Sequence, residues 1–96
     1  MRQLTILSDA RDDLRAIEHY SIQEFGWAVA DEYMNRIARA LDRLLDHPES
    51  GPVYPGIRPP VRYLSVGSHR LFYDFDGQRI TVARVLHQAM VPDDWL

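Results

Sequence analysis

The side chains able to do chemistry in this sequence are arginines, histidines and carboxylates. Cysteine is absent, which excludes disulfides, thiolate zinc sites and cysteine nucleophiles. His19, His47 and His69 lack metal-ligand spacing such as i, i+4 with a carboxylate, so neither a metal site nor a cofactor is expected. Arg62, Arg70 and Arg84 fall on three successive strand-like stretches and can converge on one side of a sheet as a cation cluster. Against that, any single arginine is better expected to pair with Asp74, Asp76 or an acid on a helix. Strict alternation along a strand sets Arg84 and His87 on opposite faces unless a bulge intervenes, which counts against one compact catalytic cluster.

All 11 basic residues are arginine, and with 14 acids the net charge is −3. Six arginines face ten acids in the first fifty residues, and five face four in the remainder. Nonspecific nucleic-acid affinity comes from several Lys/Arg–phosphate contacts, so such a chain has no general pull on polyanions. A polyanion site would have to be a local arginine cluster, expected in the C-terminal half. Direct sequence-specific nucleic-acid binding is not expected.

These side chains need elements to position them. Leu4 and Ile6 alternate with polar neighbours over residues 2–7, the pattern of a short half-buried strand. Ser8 and Asp9 are N-cap candidates for a helix over about 9–25 that buries Ala10, Leu14, Ile17 and Ser21 and ends at Gly26. Ala30, Met34, Ile37, Leu41 and Leu44 lay one apolar stripe along a second helix, which ends before Pro48. A short turn between the helices makes them an antiparallel hairpin. Five of the six prolines lie in the loop 48–60. Residues 61–66, 69–75 and 79–87 then read as a three-strand meander on the turns Gly67-Ser68 and Asp76-Gly77.

The expected fold is therefore α+β, in the order β-α-α-β-β-β, with a helical hairpin packed on a small antiparallel sheet. The first strand should pair with one of the meander strands. At 96 residues a single domain, 1–96, is expected, burying roughly 60–65% of its unfolded surface. Its 46% hydrophobic and 26% charged content is that of an ordinary globular protein rather than a disordered tail. No apolar run is long enough to span a bilayer, and the start turns acidic within nine residues, unlike a secretory leader, so a cytoplasmic location is expected.

This order and length resemble the RelE/ParE toxin superfamily of type II toxin–antitoxin systems. Three stretches carry the resemblance. LSDARDDLRAIEHYSIQEFG looks like the family's first strand running into its helix. GSHRLFYDFDG looks like its third strand, with Arg70 followed by Leu71 and Tyr73. ITVARVLHQAMVPDDWL is similar to the last strand and tail of the ParE branch. The resemblance implies a cognate, ParD-like antitoxin whose C-terminal segment folds across the toxin and whose other end binds operator DNA. It also implies one of two activities: inhibition of DNA gyrase, as in ParE-like members, or ribosome-dependent mRNA cleavage, as in RelE-like members.

Metal-independent RNA cleavage needs a base, an acid and cations around the phosphorane. By the resemblance, Arg70, Arg84 and His87 are the candidates for those roles. The lysines of RelE-like enzymes are missing, however, and Gln88 stands where a tyrosine follows such a histidine. Gyrase inhibition asks instead for a protein-binding surface, which favours Arg, Tyr, Trp and Met over Lys. The resemblance to the ParE branch and the acidic balance make that the expected activity, without catalysis by the chain itself. Arg62, Arg70, Arg84, His87, Met90, Trp95 and Leu96 are the candidate residues for binding target or antitoxin. Trp95 and Leu96 serve equally well as a lid on the edge of the core. Tyr20, Tyr33 and Tyr63 are expected at the core edge with hydroxyls in water.

Overall fold

The computed structural model describes residues 2–96. Strand β1 (Gln3–Ile6) leads into helices α1 (Ser8–Phe25) and α2 (Trp27–Asp46), and after the proline-rich loop follow β2 (Arg62–Val66), β3 (His69–Asp76) and β4 (Arg79–His87). The expected β-α-α-β-β-β order is observed.

Helix α1 begins one residue earlier than expected. Leu7 N–H still donates to Val82 O at 3.0 Å, so the chain stays sheet-bonded until the residue before the helix. Leu7 is then the extended N-cap residue, and neither Ser8 nor Asp9 caps with its side chain. Asp9 remains in the first turn, where negative charge suits the helix dipole. Gly26 alone separates the helices. Its φ of 85° is the left-handed region that a side chain disfavours, and it closes α1 through Gly26 N–H to Ile22 O at 2.9 Å. At the far end of α2, Arg2 donates to Leu45 O at 2.9 Å and satisfies a terminal carbonyl.

The sheet order is β1-β4-β3-β2. The meander is antiparallel as expected, and β1 joins it parallel to β4, from Gln3 opposite Arg79 to Ile6 opposite Val82. The sheet is thus mixed, because a strand followed by a helical crossover returns in the same direction. The second hairpin turn sits on Gly77-Gln78, one residue later than expected, since Asp76 still pairs with Arg79. A bulge interrupts β4: Arg84 faces Phe72 and Val82 faces Tyr73, which leaves Ala83 as the extra residue. Val82 and Val85, three apart in sequence, consequently both reach the core.

That core lies between the hairpin and one sheet face. Ala10, Ile17, Ile37, Ala40, Leu41 and Leu44 meet Val66, Leu71, Tyr73, Ile80, Val82 and Val85. The second face is not left to solvent. Phe72 and Leu86 are buried there, with Tyr54 and Tyr63 rings 5.7 and 6.2 Å from Phe72. The proline-rich loop covers it by running along the outer edge of β2, through Tyr54 N–H to Val61 O and Tyr63 N–H to Pro52 O. Buried Tyr73 pins the start of the loop, donating to Pro48 O at 2.7 Å and accepting from Gly51 N–H at 3.0 Å.

Candidate functional site

The three strand arginines do not converge. Arg62 pairs with Tyr73 across the ladder and so projects on the helix side, whereas Arg70, opposite Ser65 and Leu86, projects on the other face. Arg62 donates to Gly51 O at 2.7 Å and Glu49 O at 3.3 Å and lies over the Phe75 ring, which makes it a brace for the loop. Arg70 is half-buried, its guanidinium 5.5 Å from the centre of the Tyr63 ring.

Arg84 is held hardest. Its Nε and Nη2 each donate to one Asp13 oxygen at 2.8 Å, a bidentate pair with both side chains about five-sixths buried (16% and 15% exposed). Asp13 Oδ2 also accepts the Val85 N–H at 2.9 Å. Beyond Val82 strand β4 has lost its β1 partner, so a helix carboxylate satisfies the open edge. Arg84 further donates to Trp95 O at 3.2 Å and stacks 5.4 Å over the Trp95 ring. The hydrogen bonds to Asp13 push the guanidinium pKa up, against the opposing effect of burial. The acid expected to neutralise a strand arginine is thus on α1, 71 residues away.

His87 lies on the helix side, two residues beyond Val85 and across the sheet from Arg84, because the bulge precedes Arg84 instead of separating it from His87. The RelE-like trio Arg70, Arg84 and His87 is therefore not assembled. His87 instead meets His69, the ring centres 5.5 Å apart and the planes at 87°. His69 Nδ1 lies 2.6 Å from the Tyr33 hydroxyl, which is also 3.0 Å from Val66 O and 3.1 Å from Ser68 N. Ser68 N–H donates to the hydroxyl oxygen, and Val66 O and His69 Nδ1 both lie within reach of its proton. The 2.6 Å contact joins the hydroxyl to His69 Nδ1, with the donor set by the imidazole tautomer. His87 Nδ1 accepts Ala89 N–H at 3.0 Å, so the neutral ring carries its proton on Nε2. Burial pushes the His69 imidazole below its usual pKa, His87 pushes it the same way, and Asp13 pulls it up.

The Tyr33 hydroxyl is thus tied into the β2–β3 turn rather than left in water. No sequence signal foretold a contact spanning 36 residues. This group borders a cavity of ≈ 130 Å³ walled by Tyr20, Ser21, Phe25, Val29, Tyr33, Ser68 and His69. Chemically it offers two adjacent imidazoles beside an aromatic wall. Among the described residues no three His, Asp or Glu side chains gather to hold a metal, and no helix is long and apolar enough to cross a membrane. In the tail, Met90 is half-buried, while Val91, Trp95 and Leu96 are exposed at 56%, 47% and 41%.

A helical hairpin over a four-stranded mixed sheet, with a clamped last strand and an exposed apolar tail, defines a small two-layer α+β fold. A solved structure described as "Chromosomal ParDE TA system from P. aeruginosa" has this fold, with TM-score 0.77 at 22% identity over 91% of this chain and 96% of that one. Residues 4–92 match the family "ParE toxin of type II toxin-antitoxin system, parDE". Toxin ParE1 of Mycobacterium tuberculosis is 39% identical over 85 residues, 88% of this chain and 87% of that protein. Toxin ParE1 of Caulobacter vibrioides is 32% identical over 90 residues, 94% and 93% of the two chains. The chain belongs to the ParE toxin family of type II toxin–antitoxin systems.

Proposed function

We propose that this toxin acts in the bacterial cytoplasm by binding DNA gyrase and poisoning its cleavage–religation cycle, and that a ParD-like antitoxin holds it inactive. The observation that carries this reading is the commitment of Arg84. A guanidinium doubly bonded to Asp13 and stacked on Trp95 is scaffold, and although Arg70 and Arg84 share one sheet face, His87 lies on the other, so the trio for RNA cleavage is not assembled. Binding a protein needs no such convergence. It needs apolar anchors with arginine nearby, and Trp95, Leu96 and Val91 with Arg70 and His87 supply accessible groups of that kind. Met90 supports the tail from a half-buried position, while Arg62 and Arg84 hold the scaffold.

The test is supercoiling and DNA-cleavage assays with purified toxin and gyrase. Inhibition with accumulated cleaved DNA, weakened by Trp95→Ala and Leu96→Ala, is expected. Unaltered gyrase at micromolar toxin would sink the reading. The imidazole pair His69–His87 beside Tyr33 favours a second one, a metal-independent ribonuclease that keeps His87 from the set the resemblance implied and replaces the two arginines by His69 and Tyr33. It predicts rapid loss of translated mRNA on induced expression, abolished by His69→Ala, without a DNA-damage response.

A further inference from the structure

On this acidic chain, positive charge gathers at one place. Arg36, Arg39 and Arg43 follow one another on α2 at i, i+3 and i+7, so they stand in line on one helix face. All three are exposed. With Ser65, Val66 and Gly67 of the β2–β3 turn they line a cavity of ≈ 240 Å³. The local arginine cluster expected in the C-terminal half is therefore on the second helix instead. Counting charge by halves hid it, because the acids that outnumber these arginines lie largely on other faces.

The cluster is not neutralised internally. Arg36 rests over the Tyr33 ring, 5.6 Å from its centre. Arg39 reaches Glu32 at 3.4 Å, a long pair with both side chains more than half exposed (59% and 68%), which solvent screens heavily. Arg43 has no ion-pair partner among the described residues. Glu32 and Asp46 bracket the row, and no acid lies within the cavity lining.

The lining distinguishes between classes of partner. Val66 is buried, so the accessible surface is guanidinium, hydroxyl and backbone. A protein interface needs an apolar anchor at its centre, and this surface has none. A nucleic-acid backbone is held by charge and hydroxyl contacts alone. The row spans about 10 Å along the helix at about 1.5 Å per residue. One strand of a duplex presents a phosphate about every 3.4 Å of axis, so three guanidiniums meet about three phosphates. We propose that the arginine row of α2 and the β2–β3 turn form a docking surface for the phosphate backbone of duplex DNA, bound without reading its sequence. This surface engages a duplex whether or not gyrase is the target, so the two readings fail separately.

The test is fluorescence anisotropy of purified toxin against short labelled duplexes of two unrelated sequences across a salt series. Three contacts give a slope of log K against log salt of about −2.7, a loss of about 40-fold between about 50 and 200 mM. Both duplexes should behave alike. Each single Arg→Ala at positions 36, 39 or 43 should flatten the slope by about 0.9. The triple Arg→Lys variant should keep it, which separates charge from folding. A control combining Arg15→Ala, Arg58→Ala and Arg79→Ala changes net charge equally and should leave the slope near that of the unaltered protein. Absence of duplex binding at low salt, or equal weakening in the control, overturns the proposal. So does displacement of the duplex by polyglutamate as effectively as by unlabelled duplex, which would assign the surface to an acidic protein.

Discussion

The arginines of the sheet and those of α2 carry the same group into opposite circumstances. Arg62 and Arg84 sit where water is scarce, and each is bonded: Arg62 to two loop carbonyls, Arg84 to Asp13 and the Trp95 carbonyl. Arg70, half-buried, is stacked on Tyr63. Arg36, Arg39 and Arg43 stand in solvent with at most one weak ion pair among them. A charge withdrawn from water must be compensated or the fold loses more than it gains, whereas an exposed charge can stand unpaired at little cost. Among these six arginines burial coincides with strand location, and by that physical argument it separates those that hold this part of the molecule together from those left to meet something else.

The strongest blow to that division is Asp13→Ala. It leaves the Arg84 guanidinium without its partner and the Val85 N–H unsatisfied, and the expected loss is about 3 kcal/mol of unfolding free energy in urea titration. Replacing both partners by apolar residues, as Asp13→Leu with Arg84→Met, should return much of the loss because no charge is then stranded. A loss below about 1 kcal/mol in the single variant would mean that Arg84 is not committed. It would then be available again as a site cation. Next in size is Arg62→Met, which keeps an apolar side chain of similar reach and removes the bonds to Gly51 O and Glu49 O together with the guanidinium over Phe75. It should cost about 1.5 kcal/mol and speed amide exchange in the loop beyond Ser50 before it affects the helices.

The imidazoles extend the contrast to pH. His69 is held below its ordinary pKa by burial and by His87, so the unfolded chain binds the proton more readily than the native one. Its contribution to stability is therefore present above the unfolded imidazole pKa, about 6.5, and is lost as pH falls below it. Urea titrations from about pH 7.5 down to 5 should show the unaltered protein losing stability faster than His69→Gln, which cannot titrate. Parallel curves for the two would remove His69 from the acid response and leave the Tyr33 contact as its only structural role.

What could be read beforehand was whatever depends on local period. The Ala30-to-Leu44 stripe named the buried face of α2, and the Val- and Ile-rich run at 79–87 bounded β4 as observed. The Ala83 bulge was invisible because a bulge is defined by the partner strand's register. The Asp13–Arg84 pair and the Tyr33–His69 contact join residues 71 and 36 apart, which no local pattern encodes. The covering of the second sheet face also escaped, since a loop of prolines and glycines carries no periodic apolar signal for Tyr54 to stand out from. The arginine row differs from these. Its i, i+3, i+7 spacing was in the sequence, legible to a count made by helical face rather than by half-chain.

The smallest expected effect is the most discriminating. Replacing Arg36, Arg39 and Arg43 together by alanine should change unfolding free energy by no more than about 0.5 kcal/mol. Only the long Arg39–Glu32 pair and the Arg36 stacking on Tyr33 are lost, both largely exposed. Alanine's slightly better helix propensity and the relief of repulsion between neighbouring guanidiniums act in the opposite direction. A stability near that of the unaltered protein, measured beside Asp13→Ala, would show one residue type divided between support and contact by burial. A loss above about 1.5 kcal/mol would instead make the row structural, outside the range expected of solvent-exposed helix substitutions. The α2 arginines would then belong with Arg84, and a weakened duplex affinity in that variant would report unfolding rather than a lost contact.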